Sequence, residues 1–226
     1  MSRPQLVVID LDGTLVDSAP DLIYSVQKML EQLGRQAAGV EQIRDWVGNG
    51  VNMLVKRTLT GRMDPDENPD GFDSAYRIFA DTYAANLSER SRLYPGVLEG
   101  LEELRKNAFV LACITNKHSR FTGSLLEKIG LAGYFRSVVC GDTYAERKPH
   151  PMPLLKTAEQ FNIDPCRAVM VGDSLNDVKA AKAAGFVSVC VPYGYRGTYE
   201  VEELGADHVI ESIAELSALL LQGLET

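Results

Sequence analysis

The chain has 226 residues, 45% of them hydrophobic and 24% charged, which is the balance of a soluble globular protein with material for one large domain or two small ones. A net charge of −8 argues against nucleic acid as a partner, because nucleic-acid phosphates attract basic surfaces. No apolar stretch approaches the roughly 20 residues that span a bilayer, the opening Met1–Ser2–Arg3–Pro4–Gln5 lacks a signal-peptide pattern, and Cys113, Cys140, Cys166 and Cys190 contain no close pair for a metal. The expectation is a cytoplasmic protein without membrane association, its cysteines reduced and in the core.

Leu6–Val7–Val8–Ile9 is apolar without alternation, the pattern of a strand covered on both faces. It delivers Asp10 and Asp12 and breaks on Gly13–Thr14. Side chains alternate along a strand, so the two carboxylates point the same way, about 7 Å apart. Such neighbours repel unless a cation joins them or one keeps its proton. The pair therefore implies a divalent metal or an acid/base couple, although Asp-Gly is also an ordinary turn.

Asp17 or Ser18 can cap the next helix, with Pro20 in its first turn; Leu22, Ile23, Val26, Met29, Leu30 and Leu33 recur at helical spacing up to Gly34. A second helix is expected over Val40–Val47. Gly48–Asn49–Gly50 breaks it, and a third carries Met53, Leu54 and Leu59 inward. After a loop from Met63 to Gly71, Phe72, Tyr76, Phe79, Tyr83 and Leu87 form a stripe that reads as helix packing. Residues 20–91 thus hold helices and no convincing strand.

From Pro95 onward the pattern changes. Strands are expected at Phe109–Ile114, Val138–Cys140, Ala168–Val171, Val187–Val191 and Ala206–Ile210. Helices fall between them at Val97–Lys106, Arg120–Ile129, Pro151–Phe161 and Asn176–Ala184, with a last one at Ile213–Leu221. Alternating strands and helices imply an α/β fold, a parallel sheet with helices on both faces. The first strand belongs to it. The helical stretch is an insertion placed to close over the strand ends, where open parallel sheets bind ligands.

Three more places can do chemistry. Thr115–Asn116 ends an apolar strand, where a hydroxyl and a backbone N–H can hold an anionic oxygen or simply cap the next helix. Lys148–Pro149–His150–Pro151 precedes a helix, and its prolines can fix where Lys148 points; His150 is expected to pack or cap. In Gly172–Asp173–Ser174–Leu175–Asn176–Asp177, Asp173 sits at a strand end and Asp177 in a first helical turn. These carboxylates suit Mg²⁺ but serve equally as helix caps.

Taken in order, Asp10-x-Asp12-Gly13-Thr14, Thr115, Lys148 and Gly172–Asp173-x-x-x-Asp177 resemble the motifs of the haloacid dehalogenase-like hydrolase superfamily over essentially the whole chain. The resemblance implies a Rossmann-like core, residues 1–16 and 93–226, with an inserted helical cap, residues 17–92. It implies Asp10 as nucleophile and Asp12 as general acid and base. Thr115, Asn116 and Lys148 would bind phosphate. Mg²⁺ would be held by Asp10, the Asp12 carbonyl and Asp173, with Asp177 orienting its waters.

Retention of Asp12 points to phosphatases and phosphomutases within that superfamily. Trp46–Val47–Gly48–Asn49–Gly50, Thr115–Asn116–Lys117 and Val191–Pro192–Tyr193–Gly194–Tyr195 are similar to the phosphoglycolate phosphatase group, although Arg196 stands where that group commonly has asparagine or a similar residue before the glycine. The substrate implied is a small phosphorylated metabolite, foremost 2-phosphoglycolate. Gly48, Asn49 and Gly50 could offer backbone N–H groups to its carboxylate, and Lys56 and Arg57 could add charge. A β-phosphoglucomutase-like mutase, a pyrophosphatase or nucleotidase, and a phospho-accepting regulator are the other readings. Monomer and homodimer are both compatible with the sequence.

Overall fold

The structure, a computed structural model, describes residues 4–197 and 199–223. In chain order, β1 is Leu6–Ile9, β2 Val16–Asp17, α1 Ala19–Gln32, α2 Val40–Asp45, α3 Val51–Thr60, α4 Phe72–Ala85 and β3 Arg92–Leu93. There follow α5 Val97–Lys106, β4 Val110–Ile114, α6 Ser119–Lys128, β5 Ser137–Val139, α7 Met152–Phe161, β6 Ala168–Gly172, α8 Leu175–Ala184, β7 Val187–Cys190, β8 His208–Val209 and α9 Leu216–Gln222.

Six strands form one parallel sheet in the order β5-β4-β1-β6-β7-β8. β1 lies at its centre with all four residues inaccessible to solvent. Val7 and Ile9 join Leu111, Cys113, Val169 and Val171 in one apolar layer. Leu6 and Val8 join Ala112, Ile114, Ala168 and Met170 in the other. The unalternated sequence of β1 is the consequence, since helices cover both faces. From β1 the chain winds first through β4 to β5 and then back through β6 to β8. The winding therefore reverses at β1, and the crevice at its carboxyl end, between β4 and β6, is where such sheets bind ligands.

Helices α1 to α4 form a separate layer whose core includes Met29, Ile43, Phe79 and Tyr83. The layer leaves and rejoins the sheet through a ribbon that the sequence reading does not contain: Val16 pairs with Leu93 and Asp17 with Arg92, antiparallel. Two-residue strands carry too little pattern to stand out. Asp17 is thus a ribbon residue. Ser18 occupies the N-cap position of α1 but makes no capping bond; its hydroxyl turns to Asp12.

The core expectation for the cysteines holds for Cys113 and Cys190. Cys140 is half-buried and Cys166 is exposed, because Cys166 falls in a short turn ahead of β6. Among the described residues no helix is long and apolar enough to cross a membrane.

Candidate active site

Four chain segments converge at the carboxyl ends of β1, β4 and β6. The Asp10 N–H donates to the Val171 carbonyl at 2.9 Å, extending the ladder one residue beyond β1. Gly13 then turns the chain at φ +87°; a side chain there would collide with the Asp173 carboxylate and the Tyr195 ring. β4 leads into Thr115, Asn116 and Lys117. β6 leads into Asp173, and the first turn of α8 supplies Asp177. Lys148 enters from the loop before α7. These residues line one pocket, closed on the helical side by Leu22, Val47, Val51 and Leu54 together with Gly48 and Gly50.

Lys148 sits at the centre, almost fully buried. Its Nζ lies 2.8 Å from Asp10 Oδ1 and 2.7 Å from Asp177 Oδ1, and donates a hydrogen bond to the Ile114 carbonyl at 2.6 Å. The two carboxylate contacts are ionic, and both oxygens are buried without a hydrogen-bond partner. Asp173 accepts from the Thr14 hydroxyl (2.8 Å) and the Tyr195 N–H (2.5 Å). Asp177 does two jobs: its Oδ2 accepts from the Ser174 N–H and hydroxyl at the start of α8, while Oδ1 faces Lys148.

Asp12 has its own partners, which sequence reasoning missed. The Lys117 ammonium lies 3.0 and 3.1 Å from its two oxygens, and the Ser18 hydroxyl donates to it at 2.5 Å. The Lys117 ammonium also sits 4.8 Å from the centre of the Tyr83 ring, contributed by α4. The Thr115 N–H is taken by the Val139 carbonyl, and its hydroxyl accepts from the Lys117 N–H, which leaves the hydroxyl proton to donate. The Asn116 side chain donates to the Lys148 carbonyl (2.9 Å) and the Gly48 carbonyl (3.2 Å), tying the helical layer to the sheet.

The other helical-layer candidates separate. Gly48 and Gly50 line the pocket, whereas Asn49 lies in an outer groove beside Arg147 and Pro149. Arg57, expected as a source of charge for the site, is buried. It donates to the Trp46 and Met63 carbonyls and to Asn49 Oδ1, bracing the 46–49 turn. Lys56 reaches outward to the Asp66 carbonyl. His150 accepts the Met152 N–H at the start of α7, as a cap.

Four carboxylates therefore face two ammoniums, an excess of negative charge out of water. Burial pushes the Asp10 carboxyl up to about 7; Lys148 pulls it down, while Asp177 and Asp12 push it up. Burial and then the charges of Asp177 and Asp10 hold Asp173 well above the usual range, against hydrogen bonds from Tyr195 and Thr14. Burial lowers the two lysines, but Asp12 for Lys117, and Asp10 and Asp177 for Lys148, outweigh it and raise both. One oxygen each from Asp10, Asp173 and Asp177 lie within 4.8 Å of one another. The Asp10 and Asp177 oxygens that make no hydrogen bond are buried and meet only the Lys148 ammonium. This donor set fits a hard divalent cation, which would balance the excess charge.

The sequence profile of the family described as "Haloacid dehalogenase-like hydrolase" matches residues 7–191. A protein of Nitrosococcus oceani named phosphoglycolate phosphatase is 46% identical over 222 residues, spanning 98% of this chain and 99% of that one. Another of that name from Thiobacillus denitrificans is 45% identical over 214 residues, spanning 95% and 94%. The crystal structure of a predicted phosphoglycolate phosphatase from Haemophilus somnus superposes with a TM-score of 0.90 at 32% identity, covering 97% of this chain and 99% of that one. The chain belongs to the haloacid dehalogenase-like hydrolase family.

Proposed function

We propose that this protein is a cytoplasmic, Mg²⁺-dependent phosphomonoester hydrolase that cleaves 2-phosphoglycolate to glycolate and phosphate through an aspartyl-phosphate on Asp10. The observation that carries the chemistry is the pairing at the end of β1. Asp10 contacts a buried lysine and belongs to a carboxylate cluster whose oxygens are close enough to share a cation, while Asp12, two residues on, is held apart by Lys117 and Ser18. The names of the relatives at 45–46% identity support the substrate.

In the first step an Asp10 oxygen attacks phosphorus, and the bond from phosphorus to the glycolate oxygen breaks as Asp12 gives that oxygen a proton. In the second, water attacks phosphorus, Asp12 takes its proton, and the Asp10 carboxylate departs restored. Lys148 and the Thr115 hydroxyl hold the phosphoryl oxygens, with the Asn116 backbone beside them. Mg²⁺, held by Asp10, the Asp12 carbonyl and Asp173 with Asp177 ordering its waters, would shield the anionic nucleophile from the anionic phosphate.

Residues 17–92 act as a cap on a core of 1–16 and 93–226, the outermost residues of which lie beyond those described. The pocket holds about 40 Å³, room for a few waters, so binding of a substrate calls for the helical layer to shift away from the strand ends.

The test uses Asp12→Asn with an aryl phosphate, whose leaving group needs no acid. The first step then proceeds and the second stalls, so one phosphoryl group accumulates on the peptide carrying Asp10. Absence of that adduct, or wild-type turnover by Asp12→Asn, contradicts the mechanism.

A further inference from the structure

We propose that Lys117 reads the carboxylate of the substrate, so that preference for a 2-phospho-carboxylic acid comes from the core and not from a charged side chain of the cap. The inference rests on the hydrolase reading above and specifies how the substrate is chosen. The pocket wall contributed by the helical layer contains Leu22, Val47, Val51, Leu54 and two glycines, and among the described residues no cation. The cap cations nearest in sequence to that wall are engaged elsewhere: Arg44 pairs with Asp17 and lies over the Tyr195 ring, Arg57 lies under the 46–49 turn, and Lys56 reaches the Asp66 carbonyl. The lining ammoniums are Lys148 and Lys117. Lys148 is surrounded by Asp10, Asp177 and the Ile114 carbonyl, at the phosphoryl end. Lys117 is left for the other end.

Its position follows from the chemistry of Asp12. To protonate the leaving oxygen, Asp12 must come within hydrogen-bond reach of it, about 2.6–3.2 Å. In 2-phosphoglycolate the carboxylate carbon is two bonds from that same oxygen. A cation already 3.0–3.1 Å from both Asp12 oxygens is therefore within contact range of a carboxylate attached there. An ammonium has three donors, so two carboxylate oxygens do not exhaust it.

Lys117 is also prevented from leaving. It is 3% exposed and lies against the Tyr83 ring. Tyr83 is packed in turn on Phe79 at 5.8 Å and on Phe121 at 5.1 Å between ring centres. A buried ammonium held by one carboxylate and an aromatic face, beside a cavity, is a preorganised site for a second carboxylate.

The experiment compares 2-phosphoglycolate with 2-hydroxyethyl phosphate, in which a neutral hydroxymethyl group replaces the carboxylate. Binding is measured by calorimetry with Mg²⁺ in Asp12→Asn, which does not turn over and has no Lys117–Asp12 ion pair to lose, and again in Asp12→Asn/Lys117→Met. Thermal melting checks that both variants are folded. The expected result is a loss of at least tenfold in affinity for 2-phosphoglycolate on adding Lys117→Met, with 2-hydroxyethyl phosphate changing less than about threefold. Equal weakening of both ligands, or of neither, overturns the assignment of Lys117 while leaving the hydrolase reading intact. Steady-state assays of the wild type separate the two cases. If the wild type hydrolyses 2-hydroxyethyl phosphate as well as 2-phosphoglycolate, the substrate reading itself fails and the inference falls with it.

Discussion

Asp10 shows how one residue can be costly to the fold while sitting at the centre of the site. Its carboxyl keeps a proton in the folded chain up to about pH 7, against 3.8 as its ordinary value. The folded state therefore binds more protons than the unfolded chain between those values, and its stability must fall as pH rises through that window. Asp173 shifts in the same direction for the same reason. Thermal melting in EDTA should show the midpoint dropping from about pH 4 to about pH 7. Mg²⁺ favours the ionised carboxylates, so adding it should flatten that slope and raise the neutral-pH midpoint. A midpoint that ignores both pH and Mg²⁺ would mean that the cluster is not a cation site. The residues of this cluster were legible because Asp10 and Asp173 fall at strand ends and Asp177 falls in the helical turn that follows. Lys117 was not, since an isolated lysine after Thr–Asn looks like a solvated one. Tyr83, 34 positions away in sequence, packs over it and helps to take it out of water.

Elements differ in how openly they declare themselves. The buried strands β1, β4, β6 and β7 and the amphipathic helices carry enough apolar residues to be read directly. The β2–β3 ribbon carries two residues a side, and its support comes from a distance. Asp21, in the first turn of α1 and wholly inaccessible, accepts from the Arg90 N–H, the Ser91 N–H (2.8 Å) and the Ser91 hydroxyl (2.6 Å), joining the two connections at their base. From sequence it is an ordinary acidic residue near a helix start. Tyr195 supports the same junction from the far side, its hydroxyl donating to Asp17 (2.6 Å) and accepting from the Ala19 N–H (2.8 Å). Asp21→Ala would strand these donors without water and should destabilise the protein by about 3 kcal/mol in urea denaturation. An unchanged midpoint would show that the junction gets its strength elsewhere.

Across the whole molecule, division of labour follows from chain order. The carboxylates and ammoniums of the site come from the strand ends, the loop before α7 and the start of α8, and the helical layer contributes an apolar wall, two glycines and the Tyr83 ring. The insertion lies immediately after the Asp10–Asp12 strand, so its ends are anchored beside the site and its body can cover it. Asn116 latches it to Gly48, and a cover over the strand ends limits the access of bulk water to a reaction there. The measurement that tests the account most directly is phosphate release, with and without Mg²⁺, from 2-phosphoglycolate, hexose phosphates, nucleotides and pyrophosphate, by the wild type and by Asp10→Asn. The expected result is Mg²⁺-dependent release with 2-phosphoglycolate preferred by at least tenfold, and loss of at least a thousandfold in Asp10→Asn with the fold retained. Comparable release by a folded Asp10→Asn, or none from any of these substrates by the wild type, would contradict it.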